Sequence, residues 1–104
     1  MEIRTKEITA KDMFNSSSAL ALKDKVGEEL TVVGIFTREK TGMDGIEGLV
    51  GYVKTEDGIY ATVSGTVIDQ FEALAEMLEE GPCKIKVVAR KSNAGREYFQ
   101  LELV

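Results

Sequence analysis

"GIYATVSGTVIDQFEALAEMLEEGP", Gly58 to Pro82, changes its period partway along. Its start alternates as a strand does, with Ile59, Ala61 and Val63 on one side and Tyr60 and Thr62 on the other. A helical spacing then takes over. Val67, Phe71, Leu74, Ala75 and Leu78 make one apolar face. Thr66 is a candidate N-cap, with Asp69 three residues on. Gly81 and Pro82 stop the helix. One helix therefore stands between segments that otherwise read as strands.

Upstream, "ELTVVGIFTR" (Glu29–Arg38) predicts a first strand, in which Gly34 points to a bulge or sharp bend. "EKTGMDGIEG" (Glu39–Gly48) reads as a polar, Gly-rich loop, and "LVGYVKT" (Leu49–Thr55) as a second strand. "EDG" (Glu56–Gly58) is a tight-turn signal before the third strand, "IYATVS". Downstream, "CKIKVVARK" (Cys83–Lys91) predicts a fourth strand, "SNAG" a turn, and "REYFQLELV" a fifth strand. In the first 28 residues, Thr9 with Asp12 marks a short helical turn. Glu2–Thr9 alternates weakly, as an edge strand does, and "SSSALAL" is ambiguous between a turn and an extended piece.

The order β-β-β-α-β-β predicts an all-β fold. It matches a five-stranded OB-fold barrel, whose helix lies between strands three and four and plugs one end. An open α+β sheet accommodates the same pattern. A single domain over 1–104 is expected, with 1–28 an N-terminal extension packed on the barrel.

Totals narrow the chemistry. The 104 residues are 43% hydrophobic and 30% charged, as in an ordinary globular chain. There are no histidines, so His-based triads and His metal ligands are excluded. The lone Cys83 has no disulfide partner within the chain and reads as a small apolar residue at a strand start. No catalytic constellation is visible, so a non-enzymatic protein without a cofactor or metal is expected. "MEIRTKEITAKDMF" lacks the apolar stretch of a signal peptide, and no run is long enough to span a membrane. A cytoplasmic setting follows.

Net charge is −5, which in bulk argues against nucleic acid. Its distribution is uneven. Thr66 to Glu80 holds five acids and no base; Cys83 to Arg96 holds Lys84, Lys86, Arg90, Lys91 and Arg96 and no acid. In an OB-fold, oligonucleotides cross strands two and three between two loops. Here those loops are Glu39–Glu47, with Arg38 and Lys40, and Lys91–Gly95, with Arg90, Lys91 and Arg96. Lys54 adds a charge on strand two. Single strands are held by stacking bases on rings above such a basic track. Phe36 ends strand one. Tyr52, Tyr60 and Tyr98 read as facing outward, and Tyr52 and Tyr60 are expected to share one face across the "EDG" turn.

The passage "GYVKTEDGIYATVSGTVIDQFEAL", preceded by "VGEELTVVGI", resembles the short single-stranded DNA-binding proteins of bacteriophages of Gram-positive hosts. The likeness covers about Lys25 to Val104 and rests on pattern. It implies an OB-fold that coats single-stranded DNA, or RNA, in replication or recombination inside a bacterial host cell. Partners would be the strand itself, replication or recombination proteins, and further copies of the chain. Some such proteins end in an acidic tail that recruits partners. This chain stops at "LELV", so tail-mediated recruitment is not implied. The alternative is an OB-type protein-interaction module whose acidic helix faces a basic partner.

Overall fold

The computed structural model describes residues 3–41 and 47–104; of Lys40, Thr41, Glu47 and Gly48 it describes the backbone alone. The elements in chain order are α1 (Ala10–Asn15), a 3-10 turn (Ser16–Ser18), β1 (Leu20–Ala21), a second 3-10 turn (Leu22–Lys25), β2 (Glu29–Thr41), β3 (Glu47–Thr55), β4 (Gly58–Thr62), α2 (Gly65–Asp69), α3 (Phe71–Leu78), β5 (Cys83–Lys91) and β6 (Glu97–Leu103). The fold is mostly β. Six strands form one curled, barrel-like sheet in the order β1-β4-β3-β2-β5-β6. The five predicted strands correspond to β2 to β6. The sixth, β1, comes from the N-terminal extension and pairs parallel with β4 through Leu20 and Ala21.

β2 is the spine of the sheet. Its first half pairs with β5 at Glu29–Val32, and from Val32 onward it pairs with β3. A bulge between Val32 and Gly34 lies at the changeover, where the mid-strand glycine placed it. The strand runs to Thr41, three residues further than expected, so much of the predicted loop is paired backbone. Beyond the bulge, the other edge of β2 is covered by the N-terminus. The Thr5 N–H donates to the Ile35 carbonyl at 3.1 Å and the Thr37 N–H to the Ile3 carbonyl at 2.8 Å.

The predicted single helix is two. Its cap is Ser64, whose hydroxyl accepts from the Val67 N–H, and not Thr66. The axis breaks at Gln70. The apolar face is otherwise as spaced: Val67, Phe71, Leu74 and Leu78 are buried. They meet Leu30, Val32, Ile35, Val53, Ile85, Val87 and Leu101 in one core. Burying a side chain of this size contributes about 1.5–3 kcal/mol, so this face holds the helices to the sheet. Their acids, Asp69, Glu72, Glu76, Glu79 and Glu80, point to solvent. Among the described residues, β4 and β6 do not pair, so the sheet does not close; α2 packs against both β3 and β6 instead. No helix among the described residues is long and apolar enough to cross a membrane.

Candidate nucleic-acid interface

The gap between β4 and β6 opens as a groove of about 780 Å³. The segment Ser16–Lys23 borders it on one side, with α2's first residues at one end and the start of β6 opposite. Tyr52 and Tyr98, from strands distant in sequence, both line it. So do Phe99, Lys23 and Val63, the last 77% exposed. Ser16, Ser17, Thr62, Ser64 and Thr66 add hydroxyls to the lining, and Glu97 offsets the Lys23 ammonium with a carboxylate; the mixture suits a flat polar ring better than a bare anion.

Tyr52 stacks on Phe36, its cross-strand partner. The ring centroids are 4.7 Å apart and the planes differ by 13°. Phe36 itself is fully buried, so it supports Tyr52 and is not an exposed stacking platform as expected. Tyr60 requires a larger correction. It is 4% exposed and belongs to the core beside Val53, and the Lys25 ammonium sits 5.6 Å from its ring centroid. The turn explains the reversal. Thr55 pairs with Gly58, which leaves a two-residue turn, Glu56 and Asp57, and makes Gly58 part of β4. Val53 then faces Tyr60, and Tyr52 faces Ala61. The expected shared face needs a three-residue turn. Val63, expected inside, consequently stands exposed.

The cations fall into three groups. Arg38 and Lys54 lie under the N-terminal segment. Arg38 Nη1 donates to the Met13 carbonyl at 3.2 Å and to Ser16 Oγ at 2.9 Å. Lys54 Nζ donates to Asp12 Oδ2 at 2.8 Å. On the β5–β6 ribbon, Arg90 pairs with Glu102, and Lys84 lies 3.3 Å from Glu29. Lys86, Lys91 and Arg96 are exposed, and among the described residues none of the three is in an ion pair. The hairpin carrying the last two is closed by the Ser92 N–H donating to the Arg96 carbonyl at 2.8 Å, with Gly95 at φ 80° in the turn. The Lys40 side chain and loop residues 42–46 lie outside the described part.

Asp12 was missing from the expected site, although the Thr9–Asp12 spacing was visible. Both halves of a capping box form: the Asp12 N–H donates to Thr9 Oγ1, and the Thr9 N–H to Asp12 Oδ2. Burial pushes the Asp12 carboxyl up. The hydrogen bonds from Lys54 and Thr9 and the Lys54 charge outweigh it and hold the pKa below the ordinary 3.8. A depressed carboxyl contributes stability that is fully present above the ordinary value and is lost as pH falls through the lowered one.

Comparison with protein-family models, with curated proteins and with solved structures found no match for this chain.

Proposed function

We propose that this chain is an OB-fold protein that binds single-stranded DNA with little sequence preference, in the manner of the phage proteins its sequence resembles. β2, β3 and β4 would be barrel strands one to three, α2 and α3 the interposed helix, and β5 and β6 strands four and five. The reading is supported by the neighbour order β4-β3-β2-β5-β6, which agrees with such a barrel left open between its third and fifth strands, β1 being an addition beside β4. The observation that carries the reading is the convergence of Tyr52 and Tyr98 on one groove. Bases would stack there, while phosphates would follow the ribbon cations Lys86, Lys91 and Arg96. Coating of strands during phage replication or recombination would be the biological use.

A fluorescence titration with labelled oligo-dT at two salt concentrations tests this. Affinity should fall steeply with salt, with a log–log slope of about −0.7 for each phosphate contacted. No binding at low salt, or binding indifferent to salt, would reject the proposal. A second reading, a protein-interaction module, is favoured by one observation. Arg38 and Lys54 already have internal partners, while Glu72 and Glu76 on α3 and Glu79 at its C-terminal cap are exposed. Salt-indifferent DNA titrations together with capture of basic peptides would support that reading.

A further inference from the structure

The segment from Thr9 to Ala19 crosses the outer side of β2 and β3 between two apolar anchors. Ile8 is 3% exposed and sits against Gly34, where an added Cβ would lie 2.9 Å from the Ile8 side chain. Leu22 is 1% exposed and belongs to the main core. Between them the attachment is of a different kind. α1 has no buried residue, and its Phe14 is 83% exposed. What ties it down is polar: the Asp12 carboxylate on Lys54, and the Met13 carbonyl and Ser16 hydroxyl on Arg38. Those partners resemble the ligands a phosphate backbone would offer the same two cations, one anionic oxygen and two neutral oxygens.

We infer that α1 is a releasable strap that competes with single-stranded nucleic acid for Lys54 and Arg38. This rests on the proposed function and adds a regulatory step to the same face. With the strap down, two cations of the track are occupied and the tyrosine groove is the accessible part of the site. An incoming strand would enter at the groove and exchange its phosphates for the strap's oxygens. Ile8 and Leu22 would keep the strap tethered, so that it closes again on dissociation. The Lys54–Asp12 pair is partly buried, so it exchanges only for a ligand that offers Lys54 an equally good anionic oxygen, as a phosphate does.

Hydrogen exchange on the wild-type chain, with and without oligo-dT, reads the strap directly. Amides of residues 10–16 should exchange faster in the complex, while those of β3 slow down. Binding accompanied by slower exchange over 10–16 would overturn the strap and leave the proposed function standing. Oligo-dT titrations of Asp12→Asn and Ser16→Ala give an independent test. Asp12→Asn should bind about two- to fivefold more tightly, the range expected for releasing one partly exposed ion pair. Its salt slope should steepen by about 0.7, because one more cation meets a phosphate. Ser16→Ala should move affinity the same way by less. Unchanged or weaker binding by both variants, in a wild-type chain that does bind, would refute the competition. Absence of binding by all three proteins would reject the DNA-binding reading itself, and the strap with it.

Discussion

Gly51 has a packing reason to lack a side chain: a Cβ there would lie 2.9 Å from two ring atoms of Phe71 and 3.0 Å from Ile68. The helix pair can seat against β3 only because that position is empty. Gly51→Ala should therefore destabilise the fold by about 1–3 kcal/mol, the usual effect of overpacking. Chemical denaturation measures this, and an unchanged midpoint would mean the helices do not rest on β3. Two tyrosines on the same hairpin make the complementary case. Tyr60→Ala should cost about 3 kcal/mol or more of stability, as other buried aromatic truncations do. Tyr52→Ala should leave most of the stability, forgoing about 0.5–1.5 kcal/mol of pairing with Phe36. In DNA binding it should lose about 1–3 kcal/mol if a base stacks on it. Thermal melts and oligo-dT titrations of the two variants should thus give opposite rankings. Much of this was legible in the sequence. Across a two-residue turn, facing residues are an odd number apart, so the even separation of Tyr52 and Tyr60 sets them on opposite faces. What hid it was Gly58, which reads as turn by composition but pairs as strand at φ 147°.

At the scale of elements, the break between α2 and α3 has a use. Gln70 is the residue at the break, and its side-chain amide completes the exposed edge of β6. Gln70 Nε2 donates to the Leu101 carbonyl at 2.9 Å, and the Leu101 N–H donates to Gln70 Oε1 at 2.8 Å. One side chain thereby substitutes for a neighbouring strand where β4 does not reach. Leaving the Leu101 backbone groups unpaired in a mostly buried site would be unfavourable. Gln70→Ala should lower stability by about 1–3 kcal/mol. Faster amide exchange confined to β6 would accompany it, and Gln70→Glu should not restore the bond that the Nε2 donor makes. If exchange at Leu101 were unaffected, the strand edge would have to be held by something else. Apolar spacing revealed the helix face and five strands, because burial dictates period. It could not reveal β1 or the break at Gln70, since a two-residue strand has no period and a hydrogen bond to a backbone 31 residues away leaves no local trace.

Over the whole molecule, the charge of −5 is arranged by element and not spread evenly. The acids of α2 and α3 face solvent on the helical side of the core. Arg4, Lys6, Lys11, Lys23 and Lys25 belong to the N-terminal extension, and the other cations lie on β2, β3 and the β5–β6 ribbon, several of them already paired with acids. A polyanion approaching this chain would feel net repulsion at long range and attraction only near the ribbon. Screening by salt weakens both, within about 10 Å at 0.1 M. Salt dependence is therefore the measurement that separates a true phosphate track from a ribbon that happens to be basic. Lys91 and Arg96 are the informative pair. Both are exposed at the hairpin end, and neither has an acidic partner among the described residues. Truncating Arg90 would instead release Glu102 and confound the loss of one charge with the gain of another. Lys91→Ala with Arg96→Ala should weaken binding to all oligonucleotides alike, because phosphate contacts carry no sequence information. The slope of log affinity against log salt should flatten by about 1.4, two contacts at roughly 0.7 each. Tyr52→Ala should by contrast lower affinity with the slope unchanged, since stacking releases no counterions. If both variants shifted the slope equally, or neither did, the division of labour between a stacking groove and a charged ribbon would be wrong. The net negative charge would then favour a protein partner for the same surface.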